Sequence, residues 1–323
     1  MRRRAFIAGV GGAMALPLVA RAQQAKPVVG FLRSTSMAPF EGLGVALRAG
    51  LKEAGFVEEQ NVAIESRYAD NQRDRLPVLA AELIRKPVAV IVGNSRAAHA
   101  AKDATTTIPI VFTVGNDPVR DGLVRNLNRP GGNITGVTFL AGVLGSKRLE
   151  LLRQFVPKAA VIAVLVDPNT SETEIERKEV IEAARAVGQQ VLVFDVGSDR
   201  DIEAAFTAAV QRGAGAMLIG TGAFLTSKRN SMGALAARHA LPTIAGQRED
   251  ALAGGLMSYG TSQTAAYRQA GLYAGRILKG EKPGDLPVVQ ATKFEFVINL
   301  KTAKTLGLEF HPQLLAIADE VIE

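Results

Sequence analysis

The 323-residue chain has no cysteine, which excludes disulfides, thiolate metal sites and cysteine nucleophiles. Tryptophan is also absent, which counts against a sugar site built on indole stacking. Only three histidines occur, His99, His239 and His311, and no two are close enough in sequence to suggest a metal pair. His99 and His239 fall on helix patterns and read as surface residues. Beyond the N-terminus there is no long apolar run, no low-complexity tract and no Gly-x-Ser-x-Gly nucleophile motif. No Walker-type glycine loop follows a strand candidate. Nothing here signals a metal or an organic cofactor.

What is present is an ordinary globular composition, 47% hydrophobic and 21% charged, over a length that suits two domains. The formal net charge is +7, but Arg2, Arg3, Arg4 and Arg21 lie in the first 22 residues, which carry no acid. The remainder holds 34 basic against 31 acidic residues, so the basicity belongs largely to the N-terminus and does not point to nucleic acid. That N-terminus has a positive start, an apolar stretch from Ala5 to Ala20 and a small-x-small end at Ala20-Arg21-Ala22. It reads as a signal peptide, residues 1–22, cleaved before Gln23, and predicts a periplasmic protein. Paired arginines before Phe6-Ile7 suit the twin-arginine route, with a Sec signal as the alternative. Sixteen weakly apolar residues are short for a membrane anchor.

Strand and helix candidates then alternate. Strands are expected at Val28–Leu32, Val62–Arg67, Val88–Val92 and Ile108–Thr113. Between the first two, Phe40, Leu43, Leu47, Leu51 and Ala54 recur at helical spacing, with Gly55 as the stop. The pattern restarts with strands at Val161–Val166, Val191–Val196, Ala216–Gly220, Thr243–Ala245 and Leu256–Tyr259. Continuous apolar strands between helices predict parallel sheets covered on both faces. The halves echo each other: Val29-Gly30-Phe31-Leu32 matches Ile162-Ala163-Val164-Leu165. Two similarly built α/β lobes are expected. A last strand, Phe294–Ile298, and two short helices are expected to finish the chain.

In open parallel sheets, ligands sit beyond the carboxyl ends of the strands. The candidates there are Ser34, Thr35, Asn94, Ser95, Asn116 and Asp117 in the first lobe. In the second they are Asp167, Asn169, Thr170, Thr221 and Glu249, with Phe224 as an aromatic that can face the cleft. Such groups hold a small polar ligand without attacking it. Each also has a plainer reading as a helix cap or Asx turn, and Asp117-Pro118 and Asp167-Pro168 fit either. Phe40 reads as core.

Three segments carry a resemblance. Asp117-Pro118-Val119 leads into Arg129-Pro130-Gly131-Gly132-Asn133-Ile134-Thr135-Gly136. Gly254-Gly255-Leu256-Met257-Ser258-Tyr259-Gly260 follows, then Phe296-Val297-Ile298-Asn299-Leu300-Lys301-Thr302-Ala303. Together they resemble the tryptophan/tyrosine-type substrate-binding proteins of ABC transporters. The resemblance implies a type I periplasmic-binding-protein fold with two Rossmann-like lobes, ligand in the cleft, and three crossovers near Thr138, Tyr259 and Ala291. Lobe one would be residues 23–138 and 259–290, and lobe two residues 139–258 and 291–323. It further implies a non-enzymatic monomer that captures an aromatic amino acid by hinge closure and hands it to a membrane permease. Ser34, Thr35, Asn94 and Ser95 would then serve the ligand carboxylate, and Asp117, Asp167 or Glu249 the amine. The alternatives are a sensory binding protein, an exported α/β hydrolase, or a binder of aromatic carboxylates or sugars.

Overall fold

A computed structural model describes residues 26–139, 141–170, 172–310 and 312–323. The expected signal peptide and His311 lie outside the described residues. Among the described residues thirteen strands form two sheets. The first contains β1 (Val28–Arg33), β2 (Ala63–Tyr68), β3 (Val88–Asn94), β4 (Ile110–Val114), β5 (Ile134–Thr138) and, later in the chain, a two-residue strand at Val289–Gln290 that is β11. The second contains β6 (Val161–Val166), β7 (Gln190–Asp195), β8 (Ala216–Ile219), β9 (Thr243–Ala245), β10 (Met257–Thr261), β12 (Phe294–Asn299) and β13 (Glu320–Ile322). Their orders are β11-β5-β4-β3-β1-β2 and β13-β12-β10-β9-β8-β6-β7.

The strands run apolar without a break because both faces of each sheet are covered. In β1, Val29 and Phe31 enter one apolar cluster while Leu32 enters the cluster on the opposite face. In β6, Ile162, Val164 and Val166 face one way and Ala163 and Leu165 the other. Every pairing in the first sheet is parallel. The second departs from the expected all-parallel build at one place: β12 runs antiparallel to β10, from Met257 opposite Ile298 to Thr261 opposite Phe294. The sequence reading also missed β5 and the terminal strand β13. The first carries Thr135 and Gly136 amid its apolar residues, and the second is three residues long at a sheet edge, so neither shows a clear period.

The chain passes between the sheets three times. The first passage follows β5. The second, expected near Tyr259, falls just beyond it, since Tyr259 sits inside β10, which stays paired to β12 through Thr261. The passage therefore follows Thr261 and leads into the helix Gln263–Leu278. That helix packs against Glu41–Glu53 of the first lobe through Tyr267, Ala270, Tyr273 and Ala274. Glycines allow the close approach: a methyl group on Gly50 would overlap the Arg268 carbonyl, and one on Gly271 the Leu47 carbonyl. The third passage lies between β11 and β12. The connecting segments are tied together where they cross, Thr261 Oγ1 donating to the Phe139 carbonyl (2.9 Å) and the Ser262 N–H to the Lys293 carbonyl (3.1 Å).

Candidate ligand-binding site

The carboxyl ends of β1, β3 and β4 and those of β6, β8 and β9 border one cavity of about 330 Å³. That size lies at the small end of small-molecule sites. Its apolar wall comes from both lobes, with Phe40, Phe139 and Tyr267 on one side and Ile219, Leu225 and Met232 on the other.

Arg33, the last residue of β1, is the most unusual lining group. It is 3% exposed, and among the described residues no carboxylate stands within ion-pairing distance of it. Its guanidinium donates to Thr35 Oγ1 (3.2 Å) and to the Tyr267 hydroxyl. The guanidinium carbon lies 4.7 Å from the centre of the Phe40 ring and 5.1 Å from that of Tyr267. Ring faces and hydroxyls orient a buried cation, but they do not neutralise it.

Opposite stands Asp250, in the helix Arg248–Leu252 that follows β9. Its side chain is 13% exposed. Its Oδ2 accepts from the Gln247 N–H (2.9 Å), closing a capping box. Arg229 lies 3.6 Å away but is shared with Glu249 at 3.9 Å. Burial dominates and pushes the Asp250 carboxyl up to about 6, against the opposing pull of Arg229.

A second buried arginine, Arg148, is fully inaccessible and donates to Glu176 Oε1 (2.6 Å) and the Ala141 carbonyl (2.7 Å). Glu176 Oε2 accepts from the N–H (2.7 Å) and the hydroxyl (2.9 Å) of Thr221. This relay fixes the loop after β8. Arg148 Nε and Thr113 Oγ1, both buried in lining residues, have no hydrogen-bond partner among the described residues. Buried polar atoms of this kind are suited to a polar ligand.

The sequence-expected residues divide. Ser34, Asn94, Ser95, Asn169, Thr170 and Thr221 line the cavity. Ser34 and Asn94 are bonded to each other twice, at 3.0 and 2.8 Å. Thr35 is buried and serves Arg33, so it does not reach the cavity itself. Asn116 is buried beside the first crossover, where its carbonyl accepts from Thr138 Oγ1 (2.7 Å), away from the cavity wall. The two Asp-Pro carboxylates turn back to the main chain. Asp117 is exposed, with Oδ1 accepting from the Val119 N–H (2.9 Å), and Asp167 Oδ1 accepts from the Asn169 N–H (2.9 Å). Nearby N–H donors capture each carboxylate as an Asx turn. Phe224 packs on the apolar cluster of its own lobe, under Lys228. Glu249 borders a smaller cavity of about 80 Å³ beside the first and pairs with Arg229.

Sequence reasoning missed Arg33, Phe40, Arg148, Asp250 and Tyr267. Arg33 had a signal, a lone charge closing an apolar strand. Phe40 was read as core; it is 7% exposed yet lines the cavity. Tyr267 is 234 residues from the arginine it contacts, so no local pattern could link them. His99, read as surface, lines the cavity beside Asp121.

A family model described as ABC transporter substrate binding protein matches residues 41–322. A tyrosine-binding protein of Clostridioides difficile is 26% identical over 260 residues, covering 80% of this chain and 74% of that protein. Among solved structures, an ABC domain from Streptococcus pneumoniae in complex with L-Trp matches with a TM-score of 0.83 at 24% identity. It covers 92% of this chain and all of its own. The ligand-free, open structure of a Clostridium difficile substrate-binding protein with adhesive properties matches at 0.68 and 24% identity, covering 92% of this chain and 99% of its own. The two-lobed architecture is that of type I periplasmic binding proteins.

Proposed function

The chain belongs to the ABC transporter substrate-binding protein family, whose members are binding proteins and not enzymes, and we propose that it captures an aromatic amino acid between its lobes. The observation that carries this reading is that one cavity is lined both by Arg33, a buried cation with no carboxylate partner among the described residues, and by Asp250 of the other lobe, a carboxylate only 13% exposed. An α-carboxylate neutralises the first and an α-ammonium the second. Phe40, Phe139, Tyr267 and Met232 offer the ligand's side chain an apolar enclosure. The tyrosine- and tryptophan-binding relatives support the same class.

Neither lobe alone encloses this cavity, so ligand contacts to both favour a closed state. Arg73 (3.4 Å) and Arg96 of the first lobe donate to the Asn169 carbonyl of the second. The higher TM-score to the ligand-bound neighbour, 0.83 against 0.68 for the open one, supports a closed arrangement here. Proteins of this family are typically periplasmic or extracellular. Export by the signal peptide expected at residues 1–22, by the twin-arginine or the Sec route, and delivery to an ABC permease complete the reading.

The test is thermal unfolding of the mature chain, residues 23–323, after denaturation and refolding to strip carried ligand. The panel is amino acids, aromatic carboxylates and sugars. Ligand at about 100 times its Kd stabilises by about 2.7 kcal/mol, a rise of several degrees for a protein this size. A rise with tyrosine or tryptophan is expected. A rise with sugars alone, or with deaminated aromatic acids as readily as with amino acids, would overturn the zwitterion reading.

A further inference from the structure

His99 and Asp121 stand on the first-lobe wall of the cavity, with Nε2 2.9 Å from Oδ2. His99 projects from the helix Ser95–Ala104, and Asp121 comes from the loop after β4, where its N–H donates to the Asp117 carbonyl (2.9 Å). A carboxylate only accepts, so the facing Nε2 carries the imidazole proton. In the neutral ring Nδ1 is then an acceptor, and among the described residues nothing donates to it.

We propose that His99 Nδ1, oriented by Asp121, selects ligands whose aromatic side chain ends in a hydrogen-bond donor, a phenol O–H or an indole N–H. The inference rests on the amino-acid reading above and deepens it. Arg33 ends β1, whereas His99 lies in the helix that follows the neighbouring strand β3, and both line the one cavity. A ligand held at Arg33 by its carboxylate therefore presents its side chain within the enclosure that His99 borders. An apolar enclosure alone discriminates weakly between phenylalanine and tyrosine, while a polar group that needs a partner discriminates strongly.

Two ligand pairs matched in shape test this by calorimetry on ligand-free protein: tyrosine with phenylalanine, and tryptophan with its sulfur isostere benzothienylalanine. The expected result is about tenfold tighter binding of the donor-bearing member of each pair, the scale of one hydrogen bond. His99→Leu is expected to bring both ratios to about one and to change phenylalanine affinity less than about threefold. Equal affinities within both pairs in the unmodified protein would overturn the assignment without needing the variant. So would a His99→Leu protein that binds all four ligands equally more weakly. Failure of all four to bind would remove the amino-acid reading and this inference with it. Tight phenylalanine binding with no preference would remove the inference alone.

Discussion

The guanidinium carbon of Arg229, in the second lobe, stands 5.9 Å from the centre of the Phe40 ring, in the first. The other face of this relationship is Arg33, 4.7 Å from the same ring. One aromatic side chain thus meets a cation from each lobe, and one of those cations is also shared with Asp250 and Glu249. These contacts bridge the two lobes, as do those of Arg73 and Arg96 to the Asn169 carbonyl.

The double variant Arg73→Ala/Arg96→Ala should loosen closure without touching the ligand's charged ends. Dissociation is expected to quicken about tenfold while association changes little, as is usual for contacts made after encounter. Stopped-flow fluorescence measures both rates. An unchanged dissociation rate would show that the two arginines do not hold the lobes shut.

Arg33→Met separates binding from folding. Loss of a charge-assisted contact should weaken ligand affinity by about 10- to 150-fold. The ligand-free protein should keep its thermal midpoint to within a few degrees, because removing a buried charge that lacks an anionic partner offsets the lost contacts to Thr35 and Tyr267. Calorimetry and thermal unfolding of one preparation read both. Undiminished affinity would exclude Arg33 as the carboxylate partner.

Asp250 gives a pH signature. Its folded-state value of about 6 lies above its ordinary 3.8, so the folded protein holds a proton that the unfolded chain releases between those values. Stability therefore declines as pH rises from about 4 to 6, and above 6 the buried carboxylate costs roughly 3 kcal/mol. Asp250→Asn should stabilise the ligand-free protein at pH 8 and have little effect at pH 4. An ammonium ligand needs the carboxylate form, so affinity should drop by up to tenfold per unit as pH falls below 6. The variant should lose that dependence along with most of its affinity. Denaturant titrations and calorimetry at several pH values check both.

The Arg148–Glu176 pair is fully buried, and Glu176 also holds both polar groups of Thr221. Glu176→Ala strands the Arg148 cation and should destabilise the second lobe by about 3–5 kcal/mol. Replacing both residues, Arg148→Met with Glu176→Leu, should recover most of that loss. A double-mutant cycle by denaturant unfolding measures the coupling. A single-variant loss below about 1 kcal/mol would mean that the pair is dispensable to the fold.

The sequence by itself indicated most of the architecture. Apolar runs such as Val161–Val166, too continuous for a one-sided sheet, called for coverage on both faces, and their recurrence in two halves pointed to two lobes. It also located the strand ends, and Ser34, Asn94, Asn169 and Thr221 do border the cavity. What it could not decide was which way each polar side chain turns. Asp117 and Asp250 are both acids just beyond strands, yet one is exposed against local N–H groups and the other lines the cavity. A carboxylate takes whichever donors its backbone geometry offers, and those positions depend on how the loop packs. Arg33, Phe40 and Tyr267 come together only because Gln263–Leu278 crosses back to pack on the first lobe. Contacts spanning more than 200 residues leave no trace in local periodicity; tertiary packing alone decides them.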